Sequence, residues 1–470
     1  MKVTLHGGAG GQVTGSAYHV QTGRANLLVD FGMFQGMANA HDHNRVPAEL
    51  DVGKLDAVLL THAHLDHTGR LPLLVHEGYT GPVFATPATI DITNLILHDS
   101  AKVQAQDLAR LNRRRERAGE DPVAPLYGPA EVGQLMALAQ PVPYDRPVDV
   151  APGVRAWFLE AGHLLGSASI RLEVDEGERR RTVVFSGDLG PKGAPILRDA
   201  ECVREPADAV FLESTYGDHD HRPFADTLAE FREVLAKAVE AKGKILVPTF
   251  AVGRAQLMLV LLAVFFRRRE LPRFPVFLDS PMAAEASRIY LDHPELFDEE
   301  LTALNGERPL RADLETLTIT TTADESRTIN DVPGPCLVLA GAGMCNAGRI
   351  LHHLRQNLWK PETRVLIVGY QSEGTLGRQL VEGAKHVSIF GEKIVVRARV
   401  HTMGGFSAHA GQTDLLAWFD CLAASRPRVF LTHGEPRGRE GLARQIQERY
   451  GIKAELPALG EVLDLHPRGQ

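Results

Sequence analysis

The stretch Leu59-Leu60-Thr61-His62-Ala63-His64-Leu65-Asp66-His67 decides how this chain is read. An apolar, strand-like run ends at Leu60, and four side chains able to ligate a metal follow within six residues. They can converge only if the backbone turns sharply there. A loop leaving a strand end makes such a turn, and the strand gives it a rigid platform. Imidazole and carboxylate donors together suit zinc, while manganese or iron also accept those ligand types. The spacing predicts a metal site in preference to a chance surface cluster of polar residues.

The same arrangement recurs along the chain. Ala161-Gly162-His163 follows a strand-like run ending near Leu159, Phe185-Ser186-Gly187-Asp188 delivers an aspartate beside glycine, and Phe430-Leu431-Thr432-His433-Gly434-Glu435 repeats the pattern. Taken alone, a histidine or aspartate after a strand is more often a capping or turn residue. Repetition of one context beside the first cluster makes these three candidate ligands.

Around these motifs the first half alternates short strands with tight turns: residues 3–5, 18–20, 26–29, 58–60, 82–85, 155–159, 170–174 and 182–185. Helical stretches lie between, notably 88–118 and 129–139. The first carries Lys102, Arg110, Arg113, Arg114, Arg115 and Arg117, for which a solvated helix face is favoured over a nucleic-acid contact. From about residue 218 the pattern becomes strand-helix alternation, with strands at 245–250, 276–279, 337–340 and 365–370. That is the signature of a parallel α/β sheet in a separate domain. After residue 400 come a helix at 412–424 with Leu415, Leu416, Phe419 and Leu422 on one stripe, a strand at 429–432, and a final helix.

The bulk numbers set outer bounds. A chain of 470 residues is too long for one ordinary core, so two domains are expected. With 44% hydrophobic and 23% charged residues, and no apolar run of eighteen, it reads as globular with no membrane span. The start, Met1-Lys2-Val3-Thr4-Leu5-His6, reads as a first strand and not a signal peptide, which places the protein in the cytoplasm. Cys202, Cys336, Cys345 and Cys421 are scattered without a CxxC pair, so free buried or half-buried thiols are expected. A net charge of -8 argues against a general basic coat, yet a local groove or a metal can supply positive field for nucleic acid.

His62-Ala63-His64-Leu65-Asp66-His67, His163 and Asp188 resemble the metal motifs of the metallo-β-lactamase superfamily. Asp30, in Leu28-Val29-Asp30-Phe31-Gly32, resembles its first aspartate motif, which supports the ligand loop as a hydrogen-bond acceptor from behind. Glu213 in Leu212-Glu213-Ser214-Thr215-Tyr216, His409 in Gly405-Phe406-Ser407-Ala408-His409, and His433 resemble the nucleic-acid-processing β-CASP branch. Pro248-Thr249-Phe250, Leu278-Asp279-Ser280-Pro281-Met282 and Gly341-Ala342-Gly343-Met344 are also similar to it.

The resemblance implies an α/β fold, a metallo-β-lactamase αββα sandwich with an inserted β-CASP α/β domain. The split would place 1–217 in the sandwich, 218–404 in the insert and 405–470 in the sandwich again. It implies two zinc ions per chain: His62, His64 and His163 on one, Asp66, His67 and His433 on the other, and Asp188 bridging. Catalytic roles would fall to Asp66 and to His409 held by Glu213, with a metal-bridged hydroxide attacking phosphorus and His409 protonating the leaving oxygen.

A histidine at the position of His433 is typical of RNA-processing members of that branch. The nearest resemblance is to bacterial ribonucleases related to the endonuclease subunit of the cleavage and polyadenylation specificity factor. The expected activity is therefore zinc-dependent, internal cleavage of single-stranded RNA. Neither the KH-like N-terminal extension of archaeal relatives nor the C-terminal appendage of bacterial 5′-exonucleases is expected. Ser407, the Gly341 and Gly343 turn and Arg254 are candidate phosphate contacts, and a homodimer is left open as the assembly. His352 and His353 fit an exposed helix face better than an RNA contact. A small-molecule hydrolase of the same superfamily would leave the insert without a purpose. A non-catalytic RNA-binding scaffold would not need every ligand position filled, as it is here.

Overall fold

Alternation of side chains along the strands explains the layering of the first of two compact units. In the run Asn26–Val29, Leu27 and Val29 enter one core and Leu28 enters another. Ala57 and Leu59 divide from Val58 in the same way. In a second sheet Val183, Phe185, Ala209, Phe211 and Phe430 join that first core, while Val184, Val210, Leu212, Val429 and Leu431 enter a third. Period-two strands with both faces apolar must be covered on both sides. The result is two sheets packed face to face, each with helices on its outer face, an αββα sandwich.

The computed structural model describes residues 1–36, 40–177, 179–372 and 374–465. The sandwich unit comprises the described residues of Met1–Gly193, Asp199–Asp220 and His409–Gln470. Its seven-stranded sheet runs in the order Val462–Asp464, Lys2–Gly7, Ala17–Gln21, Asn26–Val29, Ala57–Leu59, Val83–Ala85, Ala139–Pro141. The six-stranded sheet runs Arg428–Thr432, Ala209–Glu213, Arg180–Phe185, Ala168–Asp175, Val154–Glu160, Val148–Ala151. Helices Pro87–Ala118 and Pro129–Ala137 cover the first sheet, and Gln412–Ala423 and Pro436–Tyr450 cover the second.

The second unit comprises Ala194–Arg198 and the described residues of His221–Ala408. Its six-stranded sheet is parallel throughout, in the order Leu317–Ile319, Val276–Leu278, Cys336–Ala340, Lys244–Pro248, Arg364–Ile367, Arg399–Thr402. Near-continuous apolar runs such as Cys336–Ala340, buried at all five residues, are what a sheet covered on both faces requires. The short stretch Ala194–Arg198 joins this unit through Ile196, whose N–H donates to Asp298 Oδ2 at 2.7 Å. No described helix is long and apolar enough to cross a membrane.

Two expectations are corrected. Cys202 and Cys421 form a disulfide, with Cα atoms 6.1 Å apart, whereas Cys336 and Cys345 are buried free thiols. The loop bearing Cys202 packs on helix Gln412–Ala423, where Trp418 Nε1 donates to Glu201 O at 2.8 Å. A pairing across 219 residues has no local signature. His353 does not share the exposed face of helix Ile350–Asn357. It is buried and its Nε2 lies 2.7 Å from Asp279 Oδ2, while His352 packs against Phe390.

Candidate metal centre

The ligand loop is built from its backbone outward. Strand Ala57–Leu59 ends, the chain turns, and the single helical turn Leu65–Thr68 follows. The neighbouring strand end lies against it: Phe31 N–H donates to His67 O at 2.8 Å, Met33 N–H to Leu65 O at 2.9 Å, and Ser16 N–H to Asp66 O at 2.9 Å. Gly32 permits this contact, because a Cβ there would sit 1.5 Å from the Asp66 carbonyl oxygen. Arg70, 1% exposed, ties the surrounding loops together by donating to the carbonyls of Gly32, His43, His6 and Gly15. Burial pushes its guanidinium down to about 9.

Asp30, fully buried and at φ 56, orients the ligands from behind. Its carboxylate accepts from Thr61 N–H at 2.8 Å and from the Thr61 hydroxyl at 2.7 Å. It also faces His67 Nδ1 at 2.8 Å. A carboxylate only accepts, so His67 carries its hydrogen on Nδ1 and presents Nε2 to the interior. The Thr61 hydroxyl hydrogen is committed to Asp30, so Thr61 Oγ1, 3.1 Å from His62 Nδ1, accepts from that ring. His62 Nε2 is thereby turned inward as well.

Three groups of donor atoms, each within 4.8 Å of one another, result: His62, His64, His163 and Asp188; Asp66, His67 and His433; and Asp188, Glu213 and His409. Asp188 connects them. Its Oδ2 lies 3.5 Å from His62 Nε2, 3.5 Å from His67 Nε2 and 3.7 Å from His163 Nε2, and its Oδ1 lies 3.3 Å from His433 Nδ1. His433 Nε2 lies 3.2 Å from Asp66 Oδ2. His433 itself stands in the left-handed region at φ 47, where a non-glycine residue persists only if its surroundings hold it. Here its N–H donates to Gly8 O at 2.7 Å.

The residues fit a bound cation. His64 Nδ1 lies 3.1 Å from both His62 Nε2 and His163 Nε2, so nitrogen lone pairs are gathered at one place. His67 Nε2 and Asp188 Oδ1 are buried without a hydrogen bond, a cost that native interiors rarely carry unless an ion or water completes the set. Burial drives the His62 imidazole well below its ordinary value and His64 to about 4, which keeps both neutral as ligands. Burial raises Asp66, but its bond to His433 and the charges of His67 and His433 outweigh it, leaving about 2. Two clusters linked by one aspartate, which belongs to the first and reaches His67 and His433 of the second, fit a binuclear metal site.

Beside the candidate ligands, Glu213 is 1% exposed at the end of strand Ala209–Glu213. Its Oε1 accepts from Leu189 N–H at 2.8 Å and its Oε2 from Thr215 N–H at 3.2 Å. His409 Nδ1 lies 3.4 Å from Glu213 Oε1, and its ring centroid is 4.5 Å from that of His163. Burial lowers the His409 imidazole, but Glu213, Asp188 and Asp66 raise it further, to about 8. Gly190, whose N–H donates to Ala161 O at 2.8 Å, lets the Asp188 and His163 loops touch; a Cβ would sit 1.9 Å from Gly162 O.

All seven candidate ligands, together with Asp30, Glu213 and His409, belong to the sandwich unit. The candidate phosphate contacts belong to the other unit. Arg254 opens helix Arg254–Arg267, Gly341 and Gly343 follow strand Cys336–Ala340, and Ser407 ends a short turn, all in the second unit. There Gly343 packs on Phe250, so this turn and the one before Arg254 share the carboxyl ends of adjacent parallel strands. Thr61, Thr215 and Arg70 were not singled out from the sequence. Thr61 and Thr215 stand directly before His62 and two residues after Glu213, and that adjacency was the available signal.

Comparison with known proteins agrees with this geometry. Residues 10–249 match the metallo-beta-lactamase superfamily, 255–380 the Beta-Casp domain, and 393–457 the Zn-dependent metallo-hydrolase RNA specificity domain. The chain is 42% identical to Ribonuclease TTHA0252 of Thermus thermophilus, covering 97% of this chain and 98% of that protein. It is 32% identical to the transcription termination factor FttA of Cenarchaeum symbiosum, covering 97% of this chain and 70% of the relative. The FttA of Pyrococcus horikoshii is 31% identical, with 96% and 69% covered. A crystal structure of a protein of unknown function from Enterococcus faecalis V583 shares the fold, with a TM-score of 0.55 at 14% identity over 98% of this chain and 99% of that one. The chain belongs to the metallo-β-lactamase superfamily and, within it, to the β-CASP branch.

Proposed function

We propose that this protein is a zinc-dependent ribonuclease that hydrolyses phosphodiester bonds within single-stranded RNA. The observation that carries the reading is Asp188, one buried carboxylate shared by two groups of inward-facing ligands, with an unused oxygen and an imidazole–carboxylate pair beside it. The RNA specificity domain matched at 393–457 and the ribonuclease relative support the choice of substrate.

His62, His64, His163 and Asp188 would hold one zinc, and Asp66, His67, His433 and Asp188 the other. Bound there, the pair supplies polarisation of a phosphoryl oxygen and a hydroxide nucleophile near neutral pH. The protein's own residues do the rest. Asp30 and Thr61 fix the tautomers of His67 and His62, so that ligand nitrogens face inward before any ion arrives. Glu213 holds His409 through Nδ1, which leaves Nε2 as the atom to carry a proton to the leaving oxygen. Backbone bonds to both Glu213 oxygens fix that carboxylate, so His409 gains a defined orientation and not merely a neighbour. Arg254, Gly341, Gly343 and Ser407 are proposed to contact the RNA backbone.

The test is incubation of zinc-loaded protein with end-labelled and circular single-stranded RNA, beside DNA and a β-lactam. Cutting of both RNAs is the expected result. Turnover of the β-lactam alone would make this a small-molecule hydrolase, and cutting confined to free ends would make it an exonuclease.

A further inference from the structure

Helix Pro87–Ala118 is 32 residues, about 48 Å, but only its first half has a core to rest on. Its buried residues end at Ala101. From Lys102 to Ala118 none is buried, although a helix of a globular unit is normally held by an apolar face. Arg110, Arg113, Arg114 and Arg117 stand in this projecting half at spacing i, i+3, i+4 and i+7, and so share one face. All four are exposed. Arg110 has Asp107 at 3.9 Å, and Arg113, Arg114 and Arg117 have no carboxylate partner among the described residues. Between Lys102 and Arg117 six cationic side chains stand against two anionic ones, in a chain whose net charge is -8.

The projection is braced. Gly119, at φ 72, turns the chain back. Asn112 then exchanges two hydrogen bonds with Val123, at 2.9 and 2.8 Å, and Arg115 donates to Asp121 O at 2.7 Å. Arg115 is thereby used for the brace and the other four arginines are left for a ligand. The base of the helix is fixed at the metal centre: the hydroxyls of Thr86 and Thr89 both donate to Gly166 O, at 2.6 and 2.8 Å, three residues beyond His163. The arginine face therefore begins about 35 Å along the helix from that anchor and ends about 45 Å from it.

We propose that residues 102–118 form an RNA-docking arm, in which Arg110, Arg113, Arg114 and Arg117 bind backbone phosphates of the strand whose scissile bond lies at the metal centre. This rests on the ribonuclease reading. Charge run alone favours a solvated helix face; a rigid projection with no core contact, one arginine face and a base at the ligand loop selects a long polyanion. A substrate that fits inside the metal centre has no use for it.

The test compares the wild type with R110Q/R113Q/R114Q/R117Q and with the corresponding fourfold arginine-to-lysine variant, all zinc-loaded. Glutamine and lysine are good helix formers and the sites are exposed, so both variants keep the fold. Binding of a forty-nucleotide phosphorothioate RNA is measured against salt, and cleavage is followed on an ordinary forty-mer and a five-mer. The glutamine variant is expected to bind the long RNA at least tenfold more weakly, with a slope of log K against log salt shallower by about 3. The lysine variant keeps the slope, and the five-mer is cleaved equally by all three. A glutamine variant whose affinity and slope match the wild type overturns the proposal, whatever the cleavage result. A wild type that cleaves neither RNA sinks the ribonuclease reading, and the binding series still decides the arm.

Discussion

Asp188 and Asp279 are both aspartates just beyond a strand end, both at most 2% exposed, and both close to histidine. Their surroundings differ completely. Asp279, in the second unit, accepts four short bonds: Thr320 Oγ1 at 2.6 Å and Arg349 Nη1 at 2.7 Å on one oxygen, Ser326 Oγ and His353 Nε2 at 2.7 Å on the other. Every lone-pair direction is used, and the network closes on itself. Asp188 has five imidazoles around it, none nearer than 3.3 Å, and one oxygen without a hydrogen bond. A buried carboxylate that is fully satisfied builds structure. One that is surrounded and left open at ligand distance holds an ion.

Removing each carboxylate in turn should produce opposite losses. Asp188→Ala should lower RNA cleavage at least a thousandfold, about 4 kcal/mol of barrier, and reduce zinc occupancy at both positions. Its metal-free form should melt close to the metal-free wild type, because the carboxylate makes no short bond there. Asp279→Ala should do the reverse: a loss of about 3–5 kcal/mol in stability, since His353 is left buried without its carboxylate partner, with two zinc ions retained. Denaturant melts and zinc assays on both variants check the pair. If Asp279→Ala also sheds zinc, the two networks are not independent.

His409→Ala should keep both metals and lose ~10²–10⁴-fold in turnover, the usual contribution of a positioned acid. Zinc content measured alongside single-turnover rates separates this role from ligation. The smallest effect is expected behind the ligands. Asp30→Asn, which weakens the hold on Thr61 and His67, should reduce zinc affinity by about 10–100-fold with the fold intact. Competition with a chromophoric chelator reads it, and an unchanged affinity would remove Asp30 from the metal centre's support.

Much of this was legible because it is local. The ligand loop places four donors within six residues, and the central sandwich strands carry their period-two pattern within three to eight residues. Three kinds of feature were not legible. Short edge strands such as Ala139–Pro141 and Val462–Asp464 are partly polar and owe their pairing to a neighbour. The Cys202–Cys421 bond and the Asp279 network join residues far apart in sequence, so His353 looked like a surface residue until Asp279 was beside it. The arginine run was visible, but its meaning depends on the helix leaving the core at Ala101, which the sequence pattern does not mark.

A two-metal centre for RNA hydrolysis around Asp188 ties cleavage to a fixed number of bound ions. The most direct measurement is zinc titration of chelator-stripped protein while cleavage of end-labelled single-stranded RNA is followed. No cutting is expected at the start, followed by a rise that saturates at two equivalents per chain. Full activity in the stripped protein, or complete zinc loading with no RNA cleavage, would contradict it.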